Sequence, residues 1–105
     1  MNNKIKPRKS VKRFVQKMEA SIPEFSQQME QKLLENEHKG GWENERFGYF
    51  CEKLHETLHK LTAQRFENTP DWNKVIKESV NIGNYAMMAV EHASKRLEKS
   101  GVTHE

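Results

Sequence analysis

Apolar side chains recur three and four positions apart along most of this chain. No segment alternates apolar and polar residues over the length of a strand, so the pattern predicts an all-α protein. The first predicted helix runs from Ser10 to about Ala20. The residues that would form its apolar face are Val11, Phe14, Val15 and Met18.

The next segment has the order of residues that is typical of a helix start. Ser21 and Glu24 are spaced as in a capping box, where the serine oxygen accepts from first-turn amides and the glutamate reaches back. Pro23 suits this position because first-turn amides lack partners within the helix. A second helix is therefore predicted from Ser21 to about His38, ending before Gly41. Its expected apolar face consists of Ile22, Phe25, Met29 and Leu33.

A third helix is predicted from about Glu43 to Phe66, with an apolar seam that requires a partner helix. The seam comprises Phe47, Phe50, Cys51, Leu54, Leu58 and Leu61. Thr69 and Pro70 then form a suitable N-cap and first residue for a fourth helix that continues to about Lys99. Its expected buried face comprises Val75, Ile76, Ser79, Ile82, Gly83, Ala86, Ala89, Val90, Ala93 and Leu97.

Gly83, on that face, affects how closely a neighbouring helix can pack. Gly83 costs about 1 kcal/mol relative to alanine in a helix interior. Together with the alanines it permits close packing of a neighbouring helix, which offsets this cost. The sequence therefore predicts a bundle of about four helices.

The composition limits the core that such a bundle can form. The chain has 105 residues, of which 34% are hydrophobic and 31% charged. A small domain buries a modest share of its surface, so completion of the bundle by self-association is expected. No apolar run approaches the ~20 residues of a membrane span, and no signal-peptide pattern is present. With Cys51 as a lone cysteine in an expected core position, a cytoplasmic protein is predicted.

Positive charge is concentrated at the N-terminus. Residues 1–17 contain seven Lys or Arg and no acid, as in an arm that binds nucleic acid or an acidic protein. No interleaved aromatic residue supports base contacts, so a solvated tail is the simpler interpretation and nucleic acid is not an expected partner. The predicted organisation is a basic flexible arm over 1–10, a helical domain over 11–99 and a flexible tail over 100–105.

The run HETLH, residues 55–59, matches H-E-x-x-H. On a helix this spacing places two zinc-binding imidazoles on one face, with Glu56 to activate water and Glu78 as a third ligand. A zinc hydrolase is thus one hypothesis. Against it, the motif can arise by chance in a chain rich in Glu, and no strand is predicted that would bind an extended peptide. Alternatively, His55 and His59 are polar residues on the side of a helix.

Three segments in order carry a different resemblance: NEHKGGW (36–42), LHETLHKL (54–61) and KESVNIGNYAMMAVEH (77–92). Over about residues 14–95 the chain resembles the small phage and prophage members of the MazG-like all-α nucleoside triphosphate pyrophosphohydrolases. There a K-G-G-W-like segment precedes a helix with E-E-x-x-E, and a later helix carries E-x-x-D. The resemblance implies a helical bundle, a homodimer or homotetramer, and Mg²⁺-dependent hydrolysis of (d)NTPs to (d)NMP and pyrophosphate.

When the acidic positions of these family motifs are carried over to this chain, only two of them are occupied by acidic residues. Glu56 and Glu78 are the implied catalytic carboxylates. Because imidazole suits softer ions, Mn²⁺, Zn²⁺ or Ni²⁺ would replace Mg²⁺, or the metal has been lost. The implied metal residues are His55, Glu56, His59, Glu78 and Asn81, and the implied nucleotide-binding residues are His38, Lys39, Trp42, Asn84 and Tyr85.

Three functions follow as hypotheses. The first is a nucleoside triphosphate pyrophosphohydrolase with an altered metal site. The second is a catalytically inactive relative that sequesters a nucleotide or binds a host protein, as an anti-defence protein does. The third is the zinc hydrolase. For the remaining residues, Met87 and Met88 are expected in the core or a subunit interface, and His92 at the surface.

Overall fold

A computed structural model of the protein describes residue 6 and residues 8–36 and 41–101. These residues form three α-helices and contain no strand, so the all-α prediction is confirmed for this part of the chain. The helices are α1 (Lys9–Glu35), α2 (Phe47–Ala63) and α3 (Trp72–Lys99), with a short 3₁₀ helix (Gln64–Phe66) after α2. Among the described residues, no helix is both long enough and apolar enough to cross a bilayer.

The first two predicted helices are one continuous helix, so the described residues form three α-helices rather than four. Pro23 lies inside α1. The Ser21 hydroxyl does not cap a new helix; its Oγ donates to the Lys17 carbonyl at 2.7 Å. This bond to the preceding turn is available to a serine inside a helix, so the capping-box spacing did not interrupt α1. The helix ends at Glu35, with Asn36 as its C-cap, and residues 37–40 lie outside the described part of the chain.

The helices α2 and α3 pack against each other as an antiparallel pair. At one end the Asp71 amide donates to Gln64 Oε1 at 2.8 Å, which closes the connection between them. At the other end the rings of Phe50 and His92 meet edge to face with centroids 5.7 Å apart. His92, expected at the surface, is therefore half-buried against α2.

The start of α3 differs from the prediction by two residues. Asp71, not Thr69, is the N-cap, and its Oδ1 accepts from the Lys74 amide at 3.2 Å. Pro70 consequently precedes the helix instead of opening it. A short carboxylate side chain satisfies the same first-turn amide as the predicted threonine would, and its negative charge suits the helix N-terminus.

Replacing Asp71 with alanine is expected to lower the free energy of unfolding by about 1 kcal/mol, because the first-turn amide loses its acceptor. Asp71→Asn keeps an acceptor oxygen at the cap and should lose less than half as much. Urea unfolding followed by circular dichroism measures both. Equal losses in the two variants would show that the cap bond does not stabilise α3.

The apolar core of the described residues is small. Phe50 and Val80 are the only fully buried hydrophobic side chains among them. Cys51, predicted to be a core residue, is exposed, because α3 covers a narrower stripe of α2 than the seam suggested. The large hydrophobic residues on the predicted faces of α2 and α3 that are at least half exposed are Phe47, Leu58, Ile76 and Val90.

Helix α1 crosses α3 at Gly83, as the glycine predicted. A Cβ atom at this position would lie 3.1 Å from a ring carbon of Phe25 and 3.3 Å from Met29 Sδ. The absence of a side chain therefore lets the two helices approach. No residue of α1 is fully buried, and its residues before Gln28 are exposed. The radius of gyration is 17.3 Å, against about 13 Å for a compact domain of this length, because α1 projects from the α2–α3 pair.

Candidate functional site

A cavity of about 660 Å³ lies where the end of α1, residues 41–46 and the start of α2 meet the middle of α3. This volume is within the range of small-molecule sites in proteins. We call it the central cavity. The residues that line it include Lys32, Leu33, Trp42, Glu43, Glu45, Tyr49, Lys53, Asn81, Asn84, Tyr85 and Met88.

One end of the central cavity is apolar. A neighbouring groove between α1 and α3, of about 390 Å³, shares four lining residues with it. These shared residues are Leu33, Trp42, Asn84 and Met88, three of which are apolar or aromatic. Met88, expected in the core or an interface, thus lines a cavity. A flat apolar group would find favourable contacts at this end.

Two polar atoms at the apolar end have no hydrogen-bond partner among the residues that the structure describes. They are Trp42 Nε1, a donor, and Asn84 Oδ1, an acceptor, and both are buried. The Asn84 amide group is held by its other atom, because Nδ2 donates to the Met29 carbonyl at 3.1 Å. An unpaired buried polar atom costs about 1–3 kcal/mol, so a ligand that presents an acceptor and a donor would recover this free energy.

The other end of the cavity is polar and contains Tyr85. Burial is the main cause that raises the pKa of its phenol above the usual 10, and nearby Tyr49, Glu56 and Glu78 raise it further, while Lys53 opposes them. The phenol is therefore protonated and able to donate a hydrogen bond at neutral pH.

The raised pKa of Tyr85 predicts how stability depends on pH. A phenol whose pKa is higher in the folded state stabilises the fold below the unfolded value near 10, and this contribution is lost as the pH rises through the folded-state pKa. Above pH 10 the free energy of unfolding of the wild type should thus fall more steeply than that of Tyr85→Phe. Urea titrations from pH 8 to 11 measure both slopes, and parallel slopes would contradict the expectation.

The predicted metal residues differ in exposure and in the residues that they contact. His55 and His59 are exposed on α2. Glu56 is 57% exposed in its side chain and pairs with Lys53 at 3.7 Å. Glu78 is buried and accepts from Asn81 Nδ2 at 3.2 Å.

Within the described residues, no three His, Cys, Asp or Glu side chains are grouped so that they could hold a metal. The described side chains therefore do not by themselves form a metal centre. The assignment of these residues to a metal stays a prediction.

The predicted nucleotide-binding residues are brought together as far as they are described. Trp42, Asn84 and Tyr85 all line the central cavity, although they come from a loop and from α3. His38 and Lys39 lie outside the described residues.

Three polar residues that line the cavity were not among the predicted site residues: Lys32, Tyr49 and Lys53. Tyr49 and Lys53 lie seven and three positions before Glu56, so helical spacing alone places all three on one side of α2. Lys32 carries no such signal. Its place in the cavity depends on how α1 crosses α3 at Gly83.

No protein-family model, curated protein or solved structure matches this chain. The interpretation of the site therefore depends on its own geometry, together with the motif resemblance.

Proposed function

We propose that this protein binds a nucleoside triphosphate in the central cavity. The observation that carries the proposal is the chemical difference between the two ends of that cavity. One end is apolar and contains an unpaired donor and an unpaired acceptor, and the other end carries lysine and tyrosine side chains. A nucleotide has the matching division into a flat base with hydrogen-bonding edges and a charged phosphate chain.

In this proposal the base occupies the apolar end. The indole of Trp42 offers a face for stacking, and Leu33 and Met88 offer apolar contacts. Both polar atoms are closed to solvent in the structure, so the Trp42 and Asn84 side chains would turn towards the cavity for Nε1 to donate to the base and for Asn84 Oδ1 to accept from an amine or a ring N–H. Every common base presents a donor next to an acceptor on one edge, so this pair supports binding of bases as a class.

The phosphates would point towards the polar end. Lys53 and Lys32 supply positive charge there, and the protonated hydroxyl of Tyr85 supplies a donor. Glu43 and Glu45 also line the cavity, so the phosphates are expected on the lysine side. Lys53 now pairs with Glu56, but exposed ion pairs stabilise proteins by about 0–1 kcal/mol, so a phosphate can replace this partner.

Hydrolysis to a monophosphate and pyrophosphate is the second candidate. It is supported by contacts of the two implied carboxylates with residues that line the cavity: Glu56 pairs with Lys53 at 3.7 Å, and Glu78 accepts from Asn81 at 3.2 Å. A nucleotide brings phosphate oxygens that bind a divalent ion, so the protein need not hold the ion alone. Binding without hydrolysis, which would sequester the nucleotide, fits better with His55 and His59, which are exposed and do not line the central cavity, and we take it as the primary proposal.

Isothermal titration calorimetry with a panel of NTPs and dNTPs tests the primary proposal. Each titration is run with EDTA and with Mg²⁺ or Mn²⁺, and pyrophosphate release is measured in parallel. We expect saturable binding of at least one nucleotide. Folded protein that gives no heat with any of them in any condition would reject the proposal.

The second candidate has its own control. If pyrophosphate is released, Glu56→Gln and Glu78→Gln should each abolish release while the nucleotide still binds. Release that survives both substitutions would remove these carboxylates from the chemistry.

A further inference from the structure

The first half of α1 carries an apolar stripe that nothing in the described chain covers. Val11, Val15, Met18 and Ile22 are spaced by four, three and four residues, the spacing of a coiled-coil seam. All four are exposed, from 38% for Val15 to 52% for Ile22. Phe14, 65% exposed, flanks the same stripe. A run of exposed apolar side chains on one helix face is a mark of an interaction surface.

Every residue in this part of α1 is exposed in the described structure. Residues 9–24 extend for about 24 Å before the helix meets α3 at Phe25 and Met29. A helix of this length is marginal on its own in water, since most helical stability comes from packing of an amphipathic face. The stripe therefore requires a partner for the helix to be well populated.

The charges along α1 indicate what that partner is. Residues 8–17 contain five Lys or Arg and no acid, whereas residues 18–35 contain four Glu and one Lys. A second α1 running antiparallel in the register of the stripe would place residues 8–15, with four Lys or Arg, beside residues 18–25 of the partner subunit, which contain two Glu and no Lys or Arg. A parallel pair would instead place five positive charges beside five.

We propose that two copies of this chain form a dimer in which the first halves of their α1 helices pack antiparallel along this stripe. In the register that stacks the seam, Val11 packs against Ile22 of the partner subunit, and Val15 against Met18 of the partner subunit. Lys12 then lies next to Glu19 of the partner subunit. This dimer does not depend on the proposed ligand.

Sedimentation equilibrium of the full chain tests the surface. The wild type is expected to be a dimer, and Val15→Glu with Ile22→Glu should raise the dimer dissociation constant roughly a hundredfold or more, because two carboxylates would be buried in each half of the seam. The control is Gln16→Glu with Gln27→Glu, which adds the same charge to exposed polar positions of α1 and should leave the dimer intact. A monomeric wild type, or equal weakening by both pairs, overturns the proposal.

A cysteine experiment tests the orientation. In a Cys51→Ser background, chains with Val15→Cys and with Met18→Cys are mixed and oxidised. The antiparallel dimer predicts that the mixed disulfide between residues 15 and 18 dominates, and dominance of links between like positions overturns it. Vesicles of phosphatidylglycerol are tested separately: a wild type that is monomeric in solution and binds them would assign the stripe to a membrane surface instead.

Discussion

Replacing Phe50 with alanine is expected to lower the free energy of unfolding by about 3–5 kcal/mol, the range for deleting a buried aromatic side chain. Phe50 is 1% exposed, and it is the largest fully buried side chain of the described residues. Its ring meets those of Tyr49 and His92 edge to face, with centroids 5.4 and 5.7 Å away. Since native domains are stable by about 5–15 kcal/mol, this single change should remove a large share of the total.

The matched control is Phe47→Ala, one helical turn earlier on α2. Phe47 is 58% exposed, so its removal should cost much less, within about 1 kcal/mol. Urea unfolding at one protein concentration compares the two variants with the wild type. If both substitutions have similar effects, the packing of α2 on α3 described above is incorrect.

Replacing Trp42 with alanine is expected to have the largest effect on nucleotide affinity. Stacking of an aromatic side chain on a base contributes about 1–3 kcal/mol, so the dissociation constant should rise roughly five- to 150-fold. Trp42→Phe keeps an aromatic face but removes the Nε1 donor, for which the described residues supply no partner. Its affinity should lie between those of the wild type and the alanine variant.

Trp72 provides the control for this measurement. It is 64% exposed at the first turn of α3 and does not line the central cavity. Trp72→Ala should therefore bind nucleotide as the wild type does in the same calorimetric titration. An unchanged affinity in folded Trp42→Ala would remove this residue from the proposed base site.

The fold could be predicted from the sequence where the spacing of apolar residues was compatible with only one helix arrangement. The apolar spacing gave α2 and α3 to within a few residues because each pairs with the other along its buried side. The separation of α1 into two helices was wrong because Ser21 and Pro23 are compatible both with a helix start and with a helix interior. The local sequence does not distinguish a helix start from a helix interior here, whereas the hydrogen bond from the Ser21 hydroxyl to the Lys17 carbonyl does.

The site was predictable only where residues belong to a motif or share a helix face. Trp42, Asn84 and Tyr85 come from the segments that carry the MazG-like resemblance, and they line one cavity. Lys32 could not be selected, because its position depends on the crossing of α1 over α3. The burial of Glu78 likewise follows from tertiary packing and from no local pattern.

The central claim is that the cavity beside Trp42, Lys53 and Asn84 binds a nucleoside triphosphate. Backbone amide chemical shifts of ¹⁵N-labelled protein, followed while the best-binding nucleotide of the calorimetric panel is added, test it most directly. We predict saturable shifts concentrated in residues 32–36, 41–53 and 81–88, with residues 9–22 unaffected. Saturable shifts confined to residues outside these three ranges, or no shifts in folded protein, would contradict the claim.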